Sequence, residues 1–253
     1  MSSWSAKTFD VSAIGLAIIC GVGSLFFFAL YPLGSLLVLR VSWSEPWLLC
    51  WDALLSFAFF LQHSGMNRRR FRAWLSTRLA PRYHGALYSI ASGAVLTLVV
   101  AFWQPSAFHL LVLHGTSRWL ARALSALALG IFIWSTLALL TFDPLGLSPV
   151  KAHLQGRSYA APRFVVKGPY QWVRHPLYSC AIAMIWTWPE MTTDRLVFNL
   201  LWTIWICVGA HWEEGDLTSD FGDAYREYRL RVPMLIPWRG RAAPQWIAAN
   251  ARQ

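Results

Sequence analysis

Six predominantly apolar runs, at about 11–39, 46–62, 86–103, 119–142, 177–189 and 195–211, leave this chain few ways to fold. A stretch of about 20 apolar residues matches the hydrocarbon thickness of a bilayer when it is helical. Charged residues make up 13% of the 253 positions, against about a quarter in soluble domains. The chain therefore reads as an all-α integral membrane protein, a single membrane domain over 1–253. About six transmembrane helices (five to six) are expected, followed by a cytosolic C-terminal amphipathic helix. The first run is long enough to tilt or to kink at Pro32. The fifth has only about a dozen apolar residues before Pro189, so it is either a short span or half of a tight hairpin with the sixth. The first run is also too long for a signal-peptide core and reads as a retained anchor. Cys20, Cys50, Cys180 and Cys207 all sit in apolar runs, with no spacing that suggests a disulfide framework or a metal site.

Arginine sets the orientation. With the N-terminus in the cytoplasm, 18 of the 22 Lys and Arg residues fall on the inner side. The positive-inside rule then places both termini in the cytoplasm, in the inner membrane of a cell. The formal net charge of +10 is accounted for by topology and by anionic lipid headgroups. No nucleic-acid module accompanies it, so nucleic acid is excluded as a partner.

That orientation brings two polar segments to one membrane face. The first is "KGPYQWVRHPLYSC", Lys167 to Cys180. Gly168-Pro169 signals a turn, and His175 is held out of the α region by the proline after it. Pro176 suits the first turn of a helix, where its missing N–H costs nothing. The fifth helix should therefore begin at Pro176, with His175 at its mouth and Arg174 beside it. Free N–H groups and a cation there favour a carboxylate or phosphate, and Tyr178 one turn in adds a hydroxyl. An interfacial Tyr/Trp/Arg anchor would account for the same residues.

The second segment, "HWEEGDLTSDFGDAYREYRLRVPMLIPW", tips the balance. Glu213 and Glu214 are expected to follow the sixth helix, where carboxylates near lipid need partners. Leu217, Phe221, Tyr225 and Tyr228 recur at helical spacing, and Arg231-Val232-Pro233 should end that helix. A juxtamembrane amphipathic helix explains the stripe but not the paired glutamates. Together the segments supply an anion site, hydroxyls, rings and carboxylates, a set suited to a zwitterionic nucleotide-like cofactor.

"GPYQWVRHPLY", then "EE" some thirty-five residues on, then "FGDAYREYRLRVPMLIP", resembles the isoprenylcysteine carboxyl methyltransferase and phospholipid methyltransferase superfamily. Within it, "TFDPLGL", "PEMT" and "LQHSGMNRRRFRAWL" are similar to the methanethiol S-methyltransferases. The resemblance covers about 55–238. It implies a helical membrane enzyme using S-adenosylmethionine, with N-terminal transmembrane helices over 1–110 and a cofactor-binding core over 119–238. By motif, Gly168, Tyr170, His175, Pro176 and Tyr178 would frame the cofactor, with Glu213 or Glu214 at its adenosine end. Arg231 would lie near the acceptor, with His63 and Tyr225 as further substrate-side residues. The acceptor so implied is a small thiol such as methanethiol, or alternatively a lipid-like carboxylate or amine.

In-line methyl transfer demands alignment and exclusion of water. For a thiol acceptor the thiolate attacks, so Arg231 or His175 could favour the anion, or His175 could accept the proton. Other polar residues read as structural. Asp52 should be hydrogen-bonded within the second span, Asp143 should order the loop after the fourth helix, and Asn199 should join helices. The one GxG, Gly21 to Gly23, lies inside a span with no strand before it, so a strand–turn–helix nucleotide site is excluded. Two other classes remain: an NADPH-binding membrane reductase on the same scaffold, and a non-enzymatic membrane protein.

Overall fold

The computed structural model describes residues 3–30, 40–139, 143, 145–159 and 164–242. Pro32, with its expected kink, lies outside them, as do Thr141, Phe142 and Pro144. Helices occupy all six apolar runs: α1 (Ser3–Leu30), α2 (Glu45–Met66), α4 (His84–Phe102), α5 (Gly115–Ala138), α7 (Pro176–Trp186) and α8 (Thr193–Phe221). Short helices α3 (Arg69–Ser76), α6 (Ser148–Leu154) and α9 (Asp223–Arg231) connect or follow them. Among the described residues, α1, α4, α5 and α8 are long and apolar enough to cross a membrane. The chain is thus a helical membrane protein, with four such helices where about six were expected. At about 1.5 Å rise per residue the 11-residue α7 covers roughly half of a bilayer core, so it forms the short arm of a hairpin with α8.

Two compact units divide the chain, Met1–Ala107 with Asp143–Ala161, and Phe108–Phe142 with Pro162–Gln253. In the first, α1 packs along α4 through small residues. Ala17 and Ala86 are fully buried, and a Cβ added at Gly93 would lie 2.1 Å from the Cys20 carbonyl oxygen. Lipid tails are as apolar as leucine, so contacts of this kind, not a hydrophobic drive, hold membrane helices together. Polar groups lock the ends. Asp10 accepts from the Tyr83 hydroxyl at 2.5 Å and meets His153 Nδ1 at 2.7 Å. Asp52 accepts from the Gln104 backbone N–H at 2.9 Å, and the Asp143 carboxylate accepts from the backbone N–H of Ser148 at the start of α6.

In the second unit α7 packs against α5 and α8. The Asn199 side chain of α8 donates to the Ile185 carbonyl of α7 at 3.0 Å, and the hydroxyls of Ser125 and Thr187 pair at 2.7 Å. Two short strands, β1 (His109–Val112) and β2 (Glu190–Thr192), pair antiparallel. They tie the lead-in of α5 to the α7–α8 connection, a pairing the apolar pattern did not announce.

The largest departure from the sequence reading concerns α8. Its 29 residues extend about 43 Å at 1.5 Å each, well beyond a hydrocarbon core of about 30 Å. Glu213 and Glu214 therefore lie inside its last turns and do not follow it. The expected amphipathic helix is also split. Gly222, at φ +59, breaks the chain between Leu217 and Phe221 on α8 and Tyr225 and Tyr228 on α9.

Candidate active site

The break at Gly222 folds α9 back so that its tyrosines meet the end of α8. Tyr225 and Tyr228 are buried with Val166 and Val232, and Phe164, Tyr170, Leu217 and Phe221 pack against them. Phe164 is the hub, with ring centroids 5.4 Å from Phe221, 5.8 Å from Tyr225 and 5.5 Å from Tyr228. Burial raises the phenol pKa of Tyr170, Tyr225 and Tyr228 above the ordinary tyrosine value, with neighbouring carboxylates adding to the rise. All three stay neutral across the physiological range.

The opening motif forms the facing wall. Lys167 is extended, Gly168 turns at φ +54, and Gly168–Gln171 forms one 3₁₀ turn. Only glycine suits that turn, since an added Cβ would also stand 3.1 Å from Ala138 Cβ. The Tyr228 hydroxyl donates to the Tyr170 carbonyl at 2.7 Å, joining α9 to the turn. His175 caps α7, which begins at Pro176 as the His-Pro pair predicts. The chain after α9 secures this wall: the backbone N–H groups of Arg174 and His175 donate to the carbonyls of Pro233 and Met234 at 2.9 and 3.1 Å. Ser179 donates to the Leu235 carbonyl at 2.7 Å.

Between the walls lies a cavity of about 340 Å³, within the roughly 300–1,000 Å³ common for small-molecule sites. Every lining residue belongs to the second unit. Tyr170, Arg174, His175, Leu177, Tyr178, Glu213, Tyr225 and Tyr228 contribute, with Ala138, Leu139, Phe164–Lys167, Leu217 and Phe221.

The two glutamates have different surroundings. Glu213 lines the cavity, its side chain 39% exposed, and accepts a 2.7 Å hydrogen bond from the Tyr178 hydroxyl. Glu214 is buried and is not part of the lining. Arg174 Nε donates to its Oε1 at 2.6 Å, and Arg229 Nε lies 3.2 Å from its Oε2. Arg174 Nη1 also donates to the carbonyls of Arg229 and Val232. This clamp joins the 167–175 segment, α8 and α9. His175 is buried and stacked on Tyr178 with centroids 5.3 Å apart. Its Nδ1 is 3.8 Å from Glu213, and its Nε2 is 3.4 Å from Glu214 without hydrogen-bond geometry. Tyr225 also carries a buried hydroxyl that lacks a hydrogen-bond partner.

The structure thus brings Tyr170, His175, Tyr178, Glu213 and Tyr225 together around one cavity, with Gly168 and Pro176 shaping its wall. Arg231 and His63 are not among the lining residues. Arg231 is half-exposed on α9, bonded to Glu227 at 2.7 Å, and outside the lining. His63 belongs to the first unit, where its ring meets the Tyr88 hydroxyl at 2.8 Å and Ser92 Oγ at 3.2 Å. Phe164, Lys167 and the Arg174–Glu214–Arg229 clamp were not singled out from sequence. Phe164 is an isolated aromatic without periodicity, but Gly222 between Phe221 and Asp223 was a legible helix-stop signal.

Comparison with known proteins supplies the family. Methanethiol S-methyltransferase 1 of Bradyrhizobium diazoefficiens is 36% identical over 191 residues, 74% of this chain and 66% of the relative. The chain therefore spans just under two thirds of that relative's length. Methanethiol S-methyltransferase of a Pseudomonas species is also 36% identical over 191 residues, covering 74% of this chain and 73% of the relative. The chain belongs to the methanethiol S-methyltransferase family. Nurim of Rattus norvegicus is similar at greater distance, 29% identical over 67% of this chain and 68% of that protein. No family model and no solved structure matches the chain.

Proposed function

We propose that this chain is an inner-membrane enzyme that transfers the methyl group of S-adenosylmethionine to methanethiol, forming dimethyl sulfide, and that the cavity between the 167–178 segment and the α8–α9 corner, on the cytoplasmic side, is its cofactor site. The observation that carries this reading is the Tyr178–Glu213 pair. It joins the two separated motifs at 2.7 Å and aims the one lining carboxylate among the described residues into an aromatic cavity. The donor set fits the cofactor. A carboxylate and ring faces suit a sulfonium or a ribose, the Phe164 cluster suits a flat base, and the buried His175 Nε2 and Tyr225 hydroxyl lack protein hydrogen-bond partners.

Bound S-adenosylmethionine supplies an electrophilic methyl group on sulfur. The chain's own residues hold and orient. Gly168, Tyr170 and Pro176 shape the wall, Tyr178 and Glu213 face the ligand, and Glu214 secures the wall through Arg174 and Arg229. His175, which lines the cavity, is the group placed to accept the thiol proton. Arg231, committed to Glu227, has no lining role in this account. The apolar lining from Ala138, Leu139 and Leu177 suits a small hydrophobic thiol.

The test is to supply reconstituted protein with S-adenosylmethionine and methanethiol and to assay the headspace. Dimethyl sulfide is the expected product. Cofactor binding without product would redirect the acceptor to a lipid-like carboxylate or amine. Binding of NADPH in place of S-adenosylmethionine would overturn the methyltransferase reading.

A further inference from the structure

A zwitterionic ligand with a cationic sulfur needs two poles, and the cavity's charges have been partly spent. Among the described residues the lining holds Lys167, Arg174, His175 and Glu213 as ionisable groups able to act as poles. Glu213, with the rings near it, is the pole for a cation. The opposite pole was expected to involve Arg174 at the mouth of α7, but Arg174 is committed. Its Nε donates to Glu214 at 2.6 Å, its Nη1 donates to two backbone carbonyls, and its side chain is only 10% exposed. His175 faces carboxylates from both ring nitrogens, at 3.8 and 3.4 Å. Outside the lining, Arg229 is held by Glu214 and Arg231 by Glu227.

Lys167 differs. It lines the cavity, its side chain is exposed, and it makes no ion pair with any described residue. Its backbone is nevertheless well placed. It is extended at φ −135 and ψ 156, its carbonyl accepts from the Tyr170 N–H at 3.2 Å, and the next residue is the glycine turn packed against Ala138. An exposed ammonium thus extends from an ordered turn in the cavity lining.

We infer that the Lys167 ammonium is the counter-charge for the carboxylate at the amino-acid end of the cofactor, an inference that rests on the cofactor reading above. Glu213 and Lys167 then mark the two ends of the ligand's charged arm. A water-exposed ion pair is modest and screened by salt, so Lys167 tunes affinity and orientation without carrying the binding.

The experiment compares two probes by calorimetry. S-adenosylhomocysteine carries the carboxylate, and 5′-deoxy-5′-methylthioadenosine lacks the amino-acid end. Full-length protein is measured as wild type, Lys167→Gln and Lys167→Arg, at low and high salt. The expected result is a loss of about two- to fivefold for S-adenosylhomocysteine in Lys167→Gln, the range of an exposed ion pair. That loss should shrink at high salt and be restored in Lys167→Arg, with the methylthioadenosine affinity unchanged in all three proteins. Equal losses for both probes, or no loss for S-adenosylhomocysteine, overturn the assignment while leaving the cofactor site standing. If wild-type protein binds neither probe, the cofactor reading itself falls and this inference with it.

Discussion

Replacing Glu214 with alanine separates structure from ligand contact at this site. Glu214 is 2% exposed and holds two arginines, Arg174 at 2.6 Å and Arg229 at 3.2 Å, with His175 at 3.4 Å. Removing it leaves the Arg174 guanidinium, itself 10% exposed, with backbone carbonyls but no counter-charge. Breaking a buried ion pair from one side costs about 3–5 kcal/mol, chiefly because the surviving charge is stranded. Arg229 is less buried and adds little to that figure. For a chain of this size each kcal/mol shifts the melting temperature by roughly 2–4 °C, so Glu214→Ala should lower it by about 6–20 °C in detergent. Glu214→Gln should fall between, since it keeps a hydrogen-bond acceptor without the charge. The assay is thermal unfolding followed by tryptophan fluorescence, in matched detergent without ligand. A Glu214→Ala protein that melts with wild type yet no longer binds S-adenosylhomocysteine would refute the clamp and make Glu214 a ligand contact.

Three other outcomes follow from the same geometry. Gly93→Val should abolish the α1–α4 contact, because even a Cβ would stand 2.1 Å from the Cys20 carbonyl oxygen; the check is yield and monodispersity on size exclusion, against Gly130→Val, which has open space. Gly168→Ala should cost about 1–2 kcal/mol for its left-handed backbone and weaken S-adenosylhomocysteine binding, read as melting temperature and calorimetric Kd. The tyrosine pKa values, raised in the fold by burial, predict an alkaline limit. Above about pH 10 the unfolded chain releases phenolic protons that the folded chain retains, so stability, fully present below that pH, falls as pH rises. Tyr225→Phe should flatten that fall while costing nothing at neutral pH, where its hydroxyl has no partner to lose.

Much of the fold was legible because a bilayer permits so few solutions. Apolar runs located six helices, and the His175-Pro176 pair located the start of α7, since proline restricts the residue before it and begins helices well. Asp143 and Asn199 proved to be the structural hydrogen-bonding residues their surroundings implied. Helix ends were harder. The apolar count stops near residue 211, but the α8 hydrogen-bond ladder continues on polar residues to Phe221, and the residues alone do not say where it leaves the bilayer. This is why the two glutamates looked equivalent. Adjacent positions on one helix point about 100° apart, so Glu213 faces the cavity while Glu214 faces Arg174. Phe164 and the β1–β2 pairing depend on contacts between segments distant in the chain, which no local pattern encodes. Arg231, prominent by motif, is drawn to the solvent side by Glu227 one turn earlier, a pairing visible as an i, i+4 pattern.

The central claim is that the cavity between the 167–178 segment and the α8–α9 corner holds S-adenosylmethionine through Glu213. Its most direct test is the calorimetric Kd of S-adenosylmethionine for purified wild-type and Glu213→Gln protein. Glu213 is partly exposed and, among the described residues, accepts a hydrogen bond from Tyr178 at 2.7 Å, so the substitution should barely shift the melting temperature. A hydrogen bond to a charged group is worth about 1.5–3 kcal/mol, which predicts a Kd weakened by roughly 10- to 150-fold. Wild-type protein that binds the cofactor, with Glu213→Gln binding it equally well, would place the site elsewhere.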